Sequence, residues 1–136
     1  MFWRLFRLRE RTRSRLEAEV LTFVLSRMAR RHGGYVGRTA VIEGFLSLPH
    51  GLHGVYISRY ASIGAGCRIY QNVTIGEIRG KAPQIGRNCL IGAGAVVVGD
   101  IRIGDGAKIG AGAVVCTDVP EGCTVVAPPS RIIRRE

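Results

Sequence analysis

The stretch Ile57-Ser58-Arg59-Tyr60-Ala61-Ser62-Ile63-Gly64-Ala65-Gly66-Cys67-Arg68-Ile69-Tyr70-Gln71-Asn72-Val73-Thr74-Ile75-Gly76 sets an isoleucine at every sixth position. The period continues outward in both directions. Val36, Ile42 and Leu48 precede it, and Ile85, Ile91, Val97, Ile103, Ile109 and Val115 follow. All of these positions except Leu48 are β-branched, which favours strands. Glycine follows the aliphatic residue at Gly64, Gly76, Gly86, Gly92, Gly104 and Gly110. A small residue recurs four places after it, at Ala61, Cys67, Cys89, Ala95, Ala107 and Ala113. Neither the helical period of 3.6 nor the strand period of two generates such spacing. It describes a short strand and a turn, repeated, with the aliphatic side chain inward and glycine at the turn. Units of this kind cannot bury their apolar side alone, so they must stack coil on coil.

On these residues, positions 36–126 resemble the hexapeptide-repeat family. The resemblance implies an all-β solenoid, a left-handed parallel β-helix of triangular section with three hexapeptides per coil. The expected organisation is a basic N-terminal helical segment over 1–34, the β-helix catalytic domain over 35–126 and a tail over 127–136.

The hexad series is interrupted twice. Leu48 to Ile57 is three residues too long and holds His50 and His53; Ile75 to Ile85 is four too long and holds Glu77 to Pro83. Extra residues in a solenoid bulge outward as loops, where function concentrates. The two excursions are expected to flank one site. Removing the second insertion puts Cys89 one coil beyond Cys67, on the same corner and about one strand spacing, ~4.8 Å, away. The expectation is two buried, reduced thiols in the small-residue slot.

Composition bounds the rest. Twenty Lys plus Arg against ten Asp plus Glu give a net charge of +10 over 136 residues, enough chain for one domain with a real core. With 46% hydrophobic residues, disorder is excluded despite the charge. No apolar run approaches the roughly 20 residues of a membrane-spanning helix. Arginine interrupts the N-terminus too often for a secretory signal, so a cytoplasmic protein is expected, with peripheral contact at the inner membrane surface as an added expectation. The four cysteines, at 67, 89, 116 and 123, form no C-x-x-C pair. A nucleic-acid partner is not expected, because the arginines concentrate in one segment and no aromatic stacking platform accompanies them.

That segment, residues 4–31, reads as one helix or two short ones ending at His32-Gly33-Gly34. Leu16, Val20, Phe23, Val24 and Met28 form an apolar stripe at helical spacing, expected to cover the open end of the solenoid. The alternative is an interfacial helix through residues 1–15, with Phe2, Trp3, Leu5, Phe6 and Leu8 interleaved with six arginines. At the other end, Pro128 to Ile133 is expected to close the chain.

Four stretches carry a narrower resemblance: Leu48-Pro49-His50-Gly51-Leu52-His53-Gly54, then Tyr70-Gln71-Asn72-Val73-Thr74-Ile75-Gly76, then Ala82-Pro83-Gln84-Ile85-Gly86, then Ile91-Gly92-Ala93-Gly94-Ala95. Over residues 35–133 they look like the serine-acetyltransferase branch of the hexapeptide acyltransferases. The resemblance implies direct acetyl transfer from acetyl-CoA to a hydroxyl, with a histidine as general base, in a homotrimer whose cofactor groove lies between subunits. His50 takes the place of the base, with His53 as competitor. A neutral imidazole suits that task near pH 7. For the cofactor the resemblance implies Gly76, Lys81, Gly92, Ala93, Lys108 and Ala111, with Arg131 for phosphate. The chain departs from the branch where charge is concerned. Pro49 stands in place of the acid before the base, Tyr35 in place of the upstream acid, and Lys81-Ala82 in place of an Arg-His pair. A neutral hydroxyl, such as a sugar's, therefore suits the site better than a zwitterionic serine. With the family carboxylate gone, a main-chain carbonyl is expected to orient His50. Three histidines, one outside the coils, make no metal site expected. The competing reading of the whole chain is a non-catalytic repeat scaffold docked on an anionic partner or membrane.

Overall fold

The computed structural model describes residues 1–134; Arg135 and Glu136, the end of the expected tail, lie outside the described residues. Two helices open the chain, α1 (Phe2–Arg11) and α2 (Arg15–Arg31). Thirteen short strands follow: β1 (Tyr35–Val36), β2 (Val41–Ile42), β3 (Tyr56–Ile57), β4 (Ser62–Ile63), β5 (Arg68–Ile69), β6 (Thr74–Gly76), β7 (Gln84–Ile85), β8 (Leu90–Ile91), β9 (Val96–Val98), β10 (Arg102–Ile103), β11 (Lys108–Ile109), β12 (Val114–Val115) and β13 (Thr124–Val125). From β1 to β12 each holds the aliphatic residue of a hexad and its predecessor, β6 and β9 running one residue further, and β13 lies beyond the series.

The strands stack into three parallel sheets that form the faces of a prism. The first runs β1-β3-β6-β9-β12, the second β2-β4-β7-β10 and the third β5-β8-β11-β13. Up to β12 the pairings are between equivalent hexad positions, for example Ile57 with Ile75, Ile75 with Val97 and Val97 with Val115. The register is therefore the sequence period itself. Inside run columns of aliphatic residues such as Ile69, Ile91 and Ile109, each fully buried. Ala61, Cys67, Ala95, Ala107 and Ala113 line the tighter corners between them. The parallel ladders satisfy the backbone polar groups along the prism, which a solenoid of two-residue strands requires.

Cys67 and Cys89 stand at one corner of successive coils, since Arg68 pairs with Leu90. Both are buried and unbridged, whereas Cys116 and Cys123 are exposed. Their thiols donate to carbonyl oxygens, Cys67 to Gly86 at 3.0 Å and Cys89 to Gly104 at 3.2 Å. The neighbouring Cys89 sulfur, and burial after it, push the Cys67 thiol above its ordinary value. A thiol reagent should therefore label Cys116 and Cys123 in the native protein and all four cysteines only after denaturation. Mass spectrometry of the labelled peptides checks this, and modification of Cys67 in the folded state would contradict the corner assignment.

The helical segment corrects the expected stripe. Ser14 caps α2, accepting from the Glu17 N–H at 3.4 Å. At its end Gly33 turns left-handed with φ 64°, and the Gly34 N–H returns to the Ala29 carbonyl at 2.9 Å. The chain between α1 and α2 is short, so α1 folds back against α2, and α2 meets β1. Phe6 is buried, and Phe2, Trp3 and Leu5 pack partly buried against the same core. These aromatic residues, which the interfacial reading needs at the surface, supply the apolar contact instead. α2 turns Leu25 and Ala29 inward, and its other face points out, with Leu16 73%, Val20 56% and Phe23 66% exposed. The aromatic cluster of α1 offers more area than the aliphatic stripe, and once α1 occupies the inner side, α2 has a single face left to bury. At the other end, Pro128 to Ile133 stays exposed and covers nothing.

Candidate active site

The first excursion leaves the third face after Ser47, which bridges to Arg68, and rejoins the first face at β3. It is pinned on both sides. The Gly54 N–H donates to the His32 carbonyl at 3.0 Å, and the Asn72 N–H donates to the His53 carbonyl at 2.9 Å. Gly54 has φ 64°, and a Cβ there would collide with the Asn72 side chain. The glycine lets the loop lie directly on the next turn.

Both loop histidines are exposed, and both are held through Nδ1. His50 Nδ1 lies 2.6 Å from Gln71 Oε1. With the amide oxygen facing the ring, Nδ1–H donates, and Nε2 keeps a free lone pair. The ring also meets Tyr70 edge-on, 5.6 Å between centroids. His53 Nδ1 lies 2.6 Å from the His50 carbonyl oxygen, and its ring packs against His32 at 4.9 Å. The expected main-chain carbonyl is present, but it orients His53; a glutamine side chain orients His50. The sequence contained the signal. Taking the three-residue excess from the interval between 50 and 71 leaves eighteen, one coil, so Gln71 lies directly beneath His50.

The same count continues through Ala93 and Ala111. The turns are joined accordingly: the Gly94 N–H donates to Gln71 O at 3.0 Å and the Gly112 N–H to Ala93 O at 2.9 Å. One corner of the prism thus carries His50, His53, Gln71, Gly92, Ala93 and Ala111. Small side chains at 93 and 111 leave its lower part shallow. Lys108 is exposed on the adjoining third face, between Leu90 and Thr124. Gly76 and Lys81 are elsewhere. The second excursion joins the first face to the second, so the two loops leave different corners on either side of the first sheet and do not converge within one chain. Lys81 is engaged by Asp100, Nζ to Oδ2 2.6 Å, and Arg131 is exposed in the tail.

Chemically, the corner offers an imidazole with a fixed ring and a free nitrogen above a strip of small, uncharged residues. Among the described residues no carboxylate hydrogen-bonds either loop histidine, and no group of three His, Cys, Asp or Glu side chains could hold a metal ion.

Residues 82–117 match the bacterial transferase hexapeptide family, described by six repeats, and the parallel prism is the left-handed β-helix of that class. Within it the chain resembles serine acetyltransferases in sequence and in fold. It is 48% identical over 92 residues to the serine acetyltransferase of Synechococcus elongatus, covering 65% of this chain and 37% of that protein. It superposes on the crystal structure of Neisseria gonorrhoeae serine acetyltransferase with a TM-score of 0.81 at 33% identity, covering 98% of this chain and 54% of that one. The structure of the gonococcal enzyme in complex with serine gives 0.80 at 35% identity, over 96% and 55%. The chain spans little more than half the length of these solved relatives and less than half of the curated one.

Proposed function

We propose that this chain is an O-acyltransferase that moves an acetyl group from acetyl-CoA to a hydroxyl, with His50 as general base. The observation that carries the reading is the 2.6 Å contact from His50 Nδ1 to Gln71 Oε1. It fixes the tautomer in which Nε2 accepts the hydroxyl proton as the oxygen attacks the thioester carbon. The tetrahedral intermediate then expels the CoA thiolate, which takes the proton from His50 Nε2 and restores the neutral base; no enzyme nucleophile is needed. The strip of small residues at Gly92, Ala93 and Ala111 receives the pantetheine arm, with Lys108 beside it and Arg131 for phosphate. The first sheet's outer face, with Tyr56, Val96 and Val114 in one row, supports a homotrimer in which a neighbouring copy brings the Gly76 and Lys81 corner toward His50.

The acceptor we favour is a neutral hydroxyl, as on a saccharide. Serine carries an ammonium and a carboxylate, and the side chains in contact with His50 are those of Gln71, Tyr70 and His53, all uncharged when the imidazole is neutral. Lys81, the cation of the second loop nearest the family's pair, is already held by Asp100. Thiol release from acetyl-CoA, measured with a panel of sugars and amino acids, should show turnover with a sugar and little with serine. No release with any acceptor would favour the scaffold reading. A cytoplasmic setting accords with the unbridged Cys67 and Cys89.

A second reading, peripheral contact with an anionic membrane, is favoured by the exposed Leu16, Val20 and Phe23 of α2, which stand among Arg13, Arg27, Arg30 and Arg31. The contact moves from residues 1–15 to this face. Val20→Asp with Phe23→Asp should abolish sedimentation with phosphatidylglycerol vesicles without unfolding the coils. Unchanged sedimentation would remove the membrane reading.

A further inference from the structure

Where the helical pair meets the first coil, a cleft of about 60 Å³ opens between α1, α2 and β1. Phe2, Phe6 and Leu25 form its apolar wall, and Arg9, Arg38, Ser26 and Tyr35 contribute the polar groups that matter. Arg9 is partly buried, its guanidinium 4.6 Å from the centroid of the Phe6 ring. Desolvation lowers its pKa; Glu10 opposes that shift and Arg38 adds to it. No carboxylate lines the cleft. Among the described residues neither guanidinium makes an ion pair or a side-chain hydrogen bond. The hydroxyl of Thr22, also in the wall, is committed to the Ala18 carbonyl at 2.7 Å.

Glu10 offsets part of the charge from outside, but the lining itself brings two cations and no carboxylate to one recess, where water is partly excluded. A bound anion reverses that balance. Guanidinium groups present paired N–H donors to oxyanions, and hydroxyls complete a tetrahedral set. We propose that the Arg9–Arg38 cleft is a binding site for a single oxyanion of phosphate size, held by the two guanidiniums with Ser26 and Tyr35 as hydroxyl donors. The cleft is of a size for a phosphoryl, sulfate or carboxylate group; a larger ligand places its acidic group here and the remainder outside. Tyr35 stacks on Tyr56, 5.0 Å between centroids, and β1 pairs with β3, at whose start the His50 loop ends. The site therefore spans the joint between the helical segment and the coil that carries the candidate base.

The test is calorimetric titration of the full chain with inorganic phosphate, chloride being adjusted to keep ionic strength constant. Saturable binding at one site per chain is expected. It should weaken about tenfold in Arg38→Gln, whose exposed side chain can be replaced without disturbing the core, and by a similar factor in Arg9→Gln. Circular dichroism confirms that each variant keeps its strands. A parallel titration with phosphatidylglycerol vesicles separates a lipid headgroup from a free anion. Absence of saturable phosphate binding, undiminished affinity in both glutamine variants relative to the unaltered chain, or binding to vesicles alone would each overturn the proposal. None of these readouts involves acyl transfer, so the site stands or falls independently of the proposed activity.

Discussion

His50→Ala should lower acetyl transfer by about 10² to 10⁴ while the coils remain folded. The size of the effect follows from what the ring does. A hydroxyl is a poor nucleophile until its proton leaves, and here Nε2 of His50 is the acceptor that the hydrogen bond to Gln71 sets free. The fold should tolerate the change, because the side chain is exposed and meets the scaffold through Gln71 and Tyr70. Gln71→Leu should act on the same step more weakly, by about tenfold, since it frees the ring to rotate and to exchange tautomers without removing the base. It should also alter the pH dependence of turnover, which a purely structural role of Gln71 would leave in place. His53→Ala is the control. His53 braces the loop through the His50 carbonyl at 2.6 Å, so its loss should cost less than tenfold. Steady-state rates of the three variants under saturating acetyl-CoA decide the matter. Full activity in His50→Ala with loss in His53→Ala would exchange the roles of the two histidines.

The contrast between the two histidines also shows where the sequence was legible. The hexad period prescribes which residues enter the prism, and the pairing of Ile57, Ile75, Val97 and Val115 in one column follows from counting alone. Counting also places Gln71, Ala93 and Ala111 under His50. A solenoid converts sequence separation into position more directly than other folds do, because each unit touches chiefly its neighbours. The excursions and the helical segment escape that rule. The loop at Glu77 to Pro83 is close to the His50 loop in sequence, yet it leaves another corner, and proximity along the chain said nothing about which corner. In α2 the most regular apolar stripe faces outward. A helix of modest amphipathicity offers two faces that can be buried, and its partner makes the choice; here α1, with Phe2, Trp3 and Phe6, took the inner position. Neither the partner helix nor its aromatic payload is visible in the stripe itself.

The stability of the prism should respond as sharply to its columns as turnover does to the ring. Ile91 is fully buried, stacked between Ile69 and Ile109 in the third face. Ile91→Ala removes three carbons from a column whose neighbours are held by parallel ladders on either side, so the walls have little freedom to close around the void. The expected loss is about 2–5 kcal/mol, and about 0.5–1.5 kcal/mol for Ile91→Val. Gln84→Ser, on the exposed side of β7, should change stability by less than about 0.5 kcal/mol. Urea unfolding followed by circular dichroism measures all three. If unfolding remains one transition, the coils are a single cooperative unit; if Ile91→Ala splits it, the columns above and below the void melt separately, as a stack of nearest-neighbour units allows. A loss from Ile91→Ala no greater than that from Gln84→Ser would mean that position 91 is not inside the prism. The register that sets Gln71, Ala93 and Ala111 beneath His50 would then be wrong as well, because the same count of eighteen residues fixes both.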